Sequence, residues 1–415
     1  MFRIRYLPGA AALALLFASH ALGATDADLA DIRNEIRALK AGYEARIQAL
    51  EQRLKDAEAR PPAAAAALPA PAPAVAPRGS TASAFNPAIS AILAGTYAHL
   101  SRDLSTFAIP GFAPGGEIGP GRRSFGIGES ELVFSANVDP YFSGTLILAV
   151  TPEETVAVEE AYGSYLGAPF GAALKFGRFL SGIGYQNGQH AHAWDFVDAP
   201  LAYQAFLGGR YATDGLQARW IAPLEQFLEL GAEVGNGDAF PGSDRNRNGG
   251  GAGAVFAHAG GDIGASHSWR AGVSYLRARS EEEGVAATSR VGLADFVWKY
   301  APNGNARENS FKLQGEYFSG RIREASRQAG WYLQGVYRFL PEWRAGVRHE
   351  RLDPRGVGEV TYEPRKSSVM LDYNPSEFSR IRVQVARSQL EPGVADNQIF
   401  LQYILSLGAH GAHAY

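Results

Sequence analysis

The stretch QIFLQYILSL, residues 398–407, decides the fold class. Its apolar residues recur at every second position and would share one face of an extended strand: Ile399, Leu401, Tyr403, Leu405 and Leu407. Gln398, Gln402 and Ser406 would lie on the opposite face. A period of two with one apolar and one polar face predicts a strand that separates two different environments.

The same period recurs along most of the chain from Phe85 onward. Clear examples are residues 132–138, 228–234, 311–317 and 380–388. Segments of about ten residues that alternate apolar-out and polar-in are typical of a transmembrane β-barrel. A soluble β-sandwich alternates in the same way but rarely has this many strands in one run. The sequence therefore predicts an all-β fold, a transmembrane antiparallel β-barrel over residues 85–415.

Turn signals separate these segments. Short Pro-containing turns, most of them followed by an aromatic residue, occur at 139–141, 222–227, 340–343 and 374–378. Longer Gly-rich stretches at 101–124 and 235–253 indicate loops. About seventeen strand candidates result, whereas bacterial single-chain barrels have an even number. We predict sixteen strands, with eighteen as the alternative, and expect the error within 181–203.

Three different segments precede the predicted barrel. Residues 1–23 have two arginines, a short apolar run and small residues, a pattern that predicts a cleavable export signal. Residues 24–60 repeat apolar residues at spacings of three and four, which predicts an α-helical coiled coil; a lone solvated helix is the alternative. Residues 61–84 are rich in Pro and Ala and predict an extended linker.

The composition narrows the classes of function. The chain of 415 residues has no Cys, which excludes disulfides and thiolate metal sites. Its formal net charge of -3 does not favour nucleic acid as a partner. The sequence shows neither a Gly-x-Ser-x-Gly motif nor a phosphate-binding loop, and we therefore predict that the protein is not an enzyme.

Several motifs resemble known outer-membrane families. The stretches KFGRF (175–179), GIGY (182–185) and DFVDAPL (195–201) resemble the porin O/P type. Residues 85–90, 128–132 and 189–196 resemble more closely a proteobacterial group labelled zinc-regulated outer-membrane proteins. The resemblance implies a trimeric, sixteen-stranded channel. The phosphate-binding residues of the porin type are not recognisable here, and phosphate selectivity is not implied.

Histidines are the main candidates for metal ligands. His190 and His192 form a His-x-His pair near Asp195 and Asp198, and the C-terminal tail contains His410 and His413. Imidazole and carboxylate are ligands that suit Zn²⁺. We predict no resident cofactor. The one candidate is zinc bound by these four histidines, which requires that the two pairs meet in space. The alternative is a polar loop and a flexible tail.

Charged residues on the polar faces of the strands are candidates for the pore lining. Their alternation would direct them into the lumen: Arg344, Arg348, Arg380, Arg382, Lys312, Glu229, Glu233 and Glu316. The sequence as a whole predicts a porin-like channel for small hydrophilic solutes or ions, and a link to zinc uptake is a further hypothesis. We expect a homotrimer in the lipid of the Gram-negative outer membrane, with the coiled coil in the periplasm. A structural or tethering barrel without significant conductance is the alternative.

Overall fold

The computed structural model describes residues 88–103, 107–150, 155–243, 247–282 and 285–408. The predicted signal peptide, coiled coil and linker lie outside the described residues, as do His410 and His413. Within the described part of the chain, no helix has the length and apolar composition needed to span a membrane.

Strands are the main secondary structure of the described chain. The strands of the first half are β1 (Ala88–Leu100), β2 (Ser124–Ile127), β3 (Ser130–Asn137), β4 (Phe142–Val150), β5 (Val156–Tyr165), β6 (Ala172–Leu180), β7 (Ala212–Ile221), β8 (Phe227–Gly235) and β9 (Ala252–Ile263). Those of the second half are β10 (His267–Glu282), β11 (Val285–Tyr300), β12 (Ser310–Arg321), β13 (Gln328–Leu340), β14 (Trp343–Asp353), β15 (Arg365–Ser376), β16 (Ser379–Glu391) and β17 (Val394–Gly408). The described residues also contain one α-helix, α1 (Leu201–Leu207), and four short 3₁₀ turns: Pro169–Gly171, Ala191–Ala193, Pro302–Gly304 and Val357–Glu359.

The strands form one closed antiparallel ring. From β3 to β17 each strand pairs with the next, and β17 pairs with β1 from Ser90↔Gly408 to Leu100↔Gln398. β3 pairs with the first half of β1, and the short β2 pairs with its second half. β2 and β3 therefore share one position in the ring. The structure is a sixteen-stranded barrel with one extra strand, which confirms the predicted number.

The two faces of the wall follow the predicted alternation. On β16, the apolar side chains of Ile381, Val383 and Val385 lie on the exposed outer face, whereas Arg382 and Gln384 are fully buried on the inner face. β17 alternates in the same way. Closure pairs the backbone groups of every wall strand with neighbours, which a membrane-embedded sheet requires because lipid offers no hydrogen bonds.

Connections of different length lie at the two ends of the barrel. All four of the predicted short turns fall at one end, together with both ends of the wall, near Ala88 and Gly408. Partly or fully exposed aromatic side chains pack beside these turns, as in Phe142 with Tyr165 and Trp343 with Tyr373. The long connections after β1, β6 and β8 leave the opposite end.

Residues 181–211, here called the inward segment, connect β6 to β7. All of them are described, and none lies in a strand. They contain the 3₁₀ turn Ala191–Ala193 and helix α1, whose seven residues are all buried. Their partners are inward-facing side chains of the wall. The error in the strand candidates was expected within 181–203, and no strand lies there, whereas the extra strand of the structure is β2 at Ser124–Ile127.

Candidate functional site

The two ends of the inward segment are fixed to each other. Ser181 N donates to Tyr211 O at 3.0 Å, which continues the pairing of β6 and β7 by one step. The buried Asn187 side chain bridges both ends: its Nδ2 donates to Ser181 O and Tyr211 O, and its Oδ1 accepts from Tyr211 N at 2.7 Å. The segment is thus a closed loop with a narrow base.

A glycine lets the loop pass close to the wall. Gly184 has a φ of +67°, and a Cβ there would lie 2.4 Å from Glu316 Oε2. The backbone N–H groups of Tyr185 and Gln186 donate to the carboxylate of Glu316 at 3.2 and 3.0 Å. Tyr203 Oη donates to the same carboxylate at 2.8 Å. Residue 184 is glycine because an L side chain would meet the carboxylate and strain the backbone.

Asp195 fastens the middle of the segment to strands β12–β14. Lys312 forms an ion pair with its carboxylate, Arg344 Nη1 lies 3.3 Å from Oδ1, and Gln334 Nε2 donates to Oδ2 at 3.1 Å. Burial alone would raise the pKa of Asp195, but Lys312 and Arg344 lower it to about 2. The carboxylate is therefore ionised across the neutral range.

Asp198 attaches the inward segment to the wall a second time, through more deeply buried cations. Arg348 Nη2 donates to Oδ1 at 2.8 Å, Gln384 Nε2 donates to the same oxygen at 2.9 Å, and Lys366 pairs with Oδ2. The side chains of Asp198, Arg348 and Lys366 are 6%, 1% and 4% exposed. Burial raises the pKa of Asp198, but Lys366 and Arg348 outweigh it and hold the pKa well below its usual range.

The N-terminus of helix α1 is capped by the wall and not by its own sequence. Leu201 N, in the first turn, donates to the carboxylate of Glu350, and Pro200 precedes it without a side-chain cap. The unpaired N–H groups of a first helical turn need such an acceptor. Gly208 closes the helix in the left-handed conformation, at a φ of +66°. The helix is therefore positioned by contacts distant in sequence.

Aromatic packing fills the space between α1 and the wall. Tyr203 packs edge-on against Phe318 at 5.0 Å between ring centroids, and Phe206 stacks on Phe318 at 5.7 Å. From the loop between β1 and β2, Phe112 contacts Phe206 at 5.5 Å. Gly119 N of the same loop donates to Gln204 Oε1 at 2.9 Å. Two connections thus occupy part of the lumen together.

The predicted pore-lining residues face inward, and most contact the inward segment. Four of them bind it through the contacts described above: Glu316, Lys312, Arg344 and Arg348. Glu233 accepts a hydrogen bond from Ser181 Oγ at 2.6 Å. Arg380 and Arg382 donate to the carbonyl oxygen of Trp194 at 3.2 and 2.9 Å. Glu229 instead pairs with Arg219 and His258. Lining of an open pore by these residues stays a prediction.

The other side of the ring is acidic and surrounds His190. Glu131 of β3 and both Glu159 and Glu160 of β5 lie within 3.5 Å of its ring nitrogens. Burial lowers the pKa of His190, but the neighbouring carboxylates raise it well above the usual value. Sequence reasoning placed Asp195 and Asp198 beside the histidines, whereas the structure places these three glutamates there. His410 and His413 lie outside the described residues, so the four-histidine site stays a prediction.

The barrel has the fold of outer-membrane porins. It is similar to the outer membrane channel DcaP of Acinetobacter baumannii, with a TM-score of 0.54 at 13% identity over 77% of this chain and 96% of that chain. It is also similar to an anion-selective porin from Comamonas acidovorans, with a TM-score of 0.54 at 9% identity over 78% and 99% of the two chains. The trimer form of OmpT, an outer membrane protein of Vibrio cholerae, gives a TM-score of 0.51 at 10% identity over 78% and 99%.

Sequence comparison adds a family. No family model matches the chain. An uncharacterized protein of Aquifex aeolicus (strain VF5) is 30% identical over 389 residues, which cover 80% of each chain. The chain belongs to the same family as that protein.

Proposed function

We propose that the protein is an outer-membrane channel through which small hydrophilic solutes or ions diffuse. The observation that supports the proposal is a closed sixteen-stranded ring with an apolar outer face and a charged inner face. An apolar outer band suits lipid, and a polar interior suits water-filled passage. The likeness to solved porins agrees with this function, although at 9–13% identity it shows the fold alone.

The inward segment would act as the constriction of this channel. It binds strands β12–β16 through Asp195 and Asp198 and covers that part of the inner wall. Side chains of Lys312, Arg344 and Arg380 keep partial exposure, at 22%, 16% and 21%. Solutes would therefore pass these partly exposed cations along one side of the lumen.

Orientation and assembly are finer parts of the proposal. Outer-membrane barrels have short periplasmic turns and longer external loops. The short-turn end, which also holds Ala88, would thus face the periplasm, and the coiled coil predicted for 24–60 would lie there. A homotrimer agrees with the heptad pattern and with the trimeric form of the OmpT structure. We further propose that the protein is not an enzyme.

Reconstitution into a planar lipid bilayer tests the channel. The full-length protein should insert and give discrete conductance steps in salt solution, and gradients of KCl should report its ion selectivity. Heat-modifiable gel migration verifies that the protein used is a folded barrel. If this folded protein inserts but gives no conductance steps, the channel proposal is contradicted and the tethering barrel is supported instead.

A link to zinc uptake is a second proposal, favoured by the imidazole of His190 among three carboxylates in the lumen. Such a group would concentrate a divalent cation beside the passage. Zinc chloride on one side of the bilayer should then change the current at micromolar concentration. An unchanged current at millimolar zinc would contradict the link without affecting the channel proposal.

A further inference from the structure

His190 lies at the centre of a group built by three separate parts of the chain. Its Nδ1 is 3.4 Å from Glu131 Oε2 and 3.3 Å from Glu159 Oε2, and its Nε2 is 3.5 Å from Glu160 Oε2. One ligand atom each from Glu131, Glu159 and His190 lies within 4.8 Å of the other two. The inward segment thus brings an imidazole between two wall strands that are not neighbours.

An irregularity of β5 makes the group possible. Successive residues of a regular strand point to opposite faces. The register of β4 and β5 shifts so that Ile147 pairs with Glu160 and Leu148 with Val158, which leaves Glu159 without a partner. Such a β-bulge re-aims a side chain. Glu159 and Glu160 can therefore both face His190, although they are adjacent in sequence.

Several atoms that face the centre of the group make no well-aligned hydrogen bond. Among the described residues, these are Glu131 Oε2, Glu159 Oε2 and His190 Nδ1, all of them buried, while Glu159 Oε1 pairs with Arg210. Glu131 is only 2% exposed. Buried polar groups are normally satisfied, and carboxylate oxygens that meet an imidazole nitrogen without a well-aligned hydrogen bond favour a cation among them. Arg210 balances part of the charge, because it pairs with Glu159 Oε1 and with Glu129.

The spacing fits a tetrahedral zinc ion. Two ligands at about 2.0–2.1 Å from a tetrahedral zinc ion lie roughly 3.3–3.4 Å apart. His190 Nδ1 has this separation from both carboxylates. His192 Nδ1, at 2.9 Å from Glu131 Oε1, holds the remaining oxygen and orients the carboxylate. Ligands are often oriented in this way by neighbours that do not bind the metal.

We propose that Glu131 Oε2, Glu159 Oε2 and His190 Nδ1 bind one Zn²⁺ ion in the lumen. A nitrogen and two carboxylate oxygens are a ligand set that zinc accepts, and the fourth position would be left to water. The divalent ion would balance the carboxylates that now surround the imidazole. His190 keeps 17% of its side chain exposed, while the three ligand atoms themselves are buried.

Calorimetric titration of the full-length, folded protein in detergent with zinc chloride tests the site. We expect one equivalent of zinc per chain. The His190→Gln and Glu159→Gln variants should each weaken binding by at least about tenfold, because even substitutions beside metal ligands typically cost 10–100-fold in affinity. Magnesium at a hundredfold excess should not compete, since Mg²⁺ prefers octahedral oxygen ligands.

His258→Gln is the matched control. His258 is also a buried histidine whose Nδ1 lies 2.9 Å from a glutamate, Glu229, on other strands of the barrel. This variant should bind zinc like the wild type. Heat-modifiable migration of each variant verifies folding, and a His190→Ala variant provides a second removal of the ligand if His190→Gln does not fold.

Two results would overturn the proposal. One is wild-type affinity in folded variants at His190 and Glu159. The other is loss of binding only in the double variant His410→Gln and His413→Gln, which would place the ion at the tail. The titration measures zinc binding and no ion current. A failure of the zinc proposal would therefore leave the channel proposal unaffected.

Discussion

The attachment of the inward segment at Asp198 gives a quantitative prediction. The Asp198→Asn change keeps the size of the side chain but removes the charge that faces Arg348 and Lys366. Both cations are almost fully buried, and Glu350 would remain as the carboxylate beside Arg348. Breaking a buried ion pair by removing one partner typically costs 3–5 kcal/mol. The amide retains part of the hydrogen bonding, so we expect the lower end, about 3 kcal/mol.

Hydrogen exchange measures this cost where it arises. The segment opens locally when it leaves the wall, and its amide protection reports the free energy of that opening. A loss of about 3 kcal/mol corresponds to a fall in protection of roughly 150-fold, because each 1.4 kcal/mol is a factor of ten. The effect should appear at residues 201–207 of α1, whereas the amides of β14–β16 should change far less, since closure of the ring holds them.

Asp214→Asn is the control for this prediction. Asp214 also pairs with an arginine in a two-bond geometry, with Arg178 Nε at 2.6 Å and Nη2 at 2.9 Å. That pair is 39–42% exposed. Exposed ion pairs contribute about 0–1 kcal/mol to stability. Asp214→Asn should therefore lower amide protection less than about fivefold. Equal and small effects of both substitutions on α1 would refute the reasoning that Asp198 fastens the segment.

Three further predictions concern acid, backbone strain and the N-terminal segments. Because the folded pKa of Asp195 lies below its ordinary value of 3.8, at about 2, its contribution is present above about pH 4 and lost as the pH falls towards 2. The shift in pKa corresponds to about 2 kcal/mol of stability. Acid should therefore speed amide hydrogen exchange in the inward segment before the barrel unfolds. Unchanged amide protection of the segment down to pH 2 would contradict this. Gly184→Ala should destabilise the segment by about 1–3 kcal/mol, since the new Cβ would lie 2.4 Å from Glu316 Oε2 at a positive φ; protection equal to wild type would contradict it. Deletion of residues 24–80 should leave a folded barrel but lower the temperature at which an oligomer dissociates on gels, and a full-length protein that is monomeric by native mass spectrometry would exclude the predicted coiled coil.

The wall of the barrel was predictable because its signal is local. Ile381, Val383 and Val385 alternate with polar residues within a few positions, and the membrane and the lumen impose that period directly. The error in the strand candidates was expected within 181–203, which contains no strand, whereas the extra strand β2 lies at Ser124–Ile127. The apolar run from Leu201 to Leu207 resembles a strand candidate by composition, and the preceding Pro200 and following Gly208 were the signals that could have identified a short helix.

The contacts of the site were not predictable because they join distant parts of the chain. Asp198 meets Lys366 across 168 residues, and His192 meets Glu131 across 61. No periodicity encodes such pairs. The position of Glu159 beside His190 also depends on a one-residue shift in register. Alternation alone would have placed Glu159 on the other face of the strand. The motif residues 128–132 and 189–196 do meet in space, through Glu131 with His190 and His192.

Single-channel recording of the wild type beside a variant without the inward segment tests the central claim most directly. Ser181 and Tyr211 are already paired, so a turn of about four residues can replace 182–210 without opening the ring. We predict that both proteins insert and conduct, and that the shortened variant has clearly larger conductance steps. Equal steps would show that residues 181–211 do not constrict the passage, and insertion of both without any conductance would contradict the account of the protein as a channel.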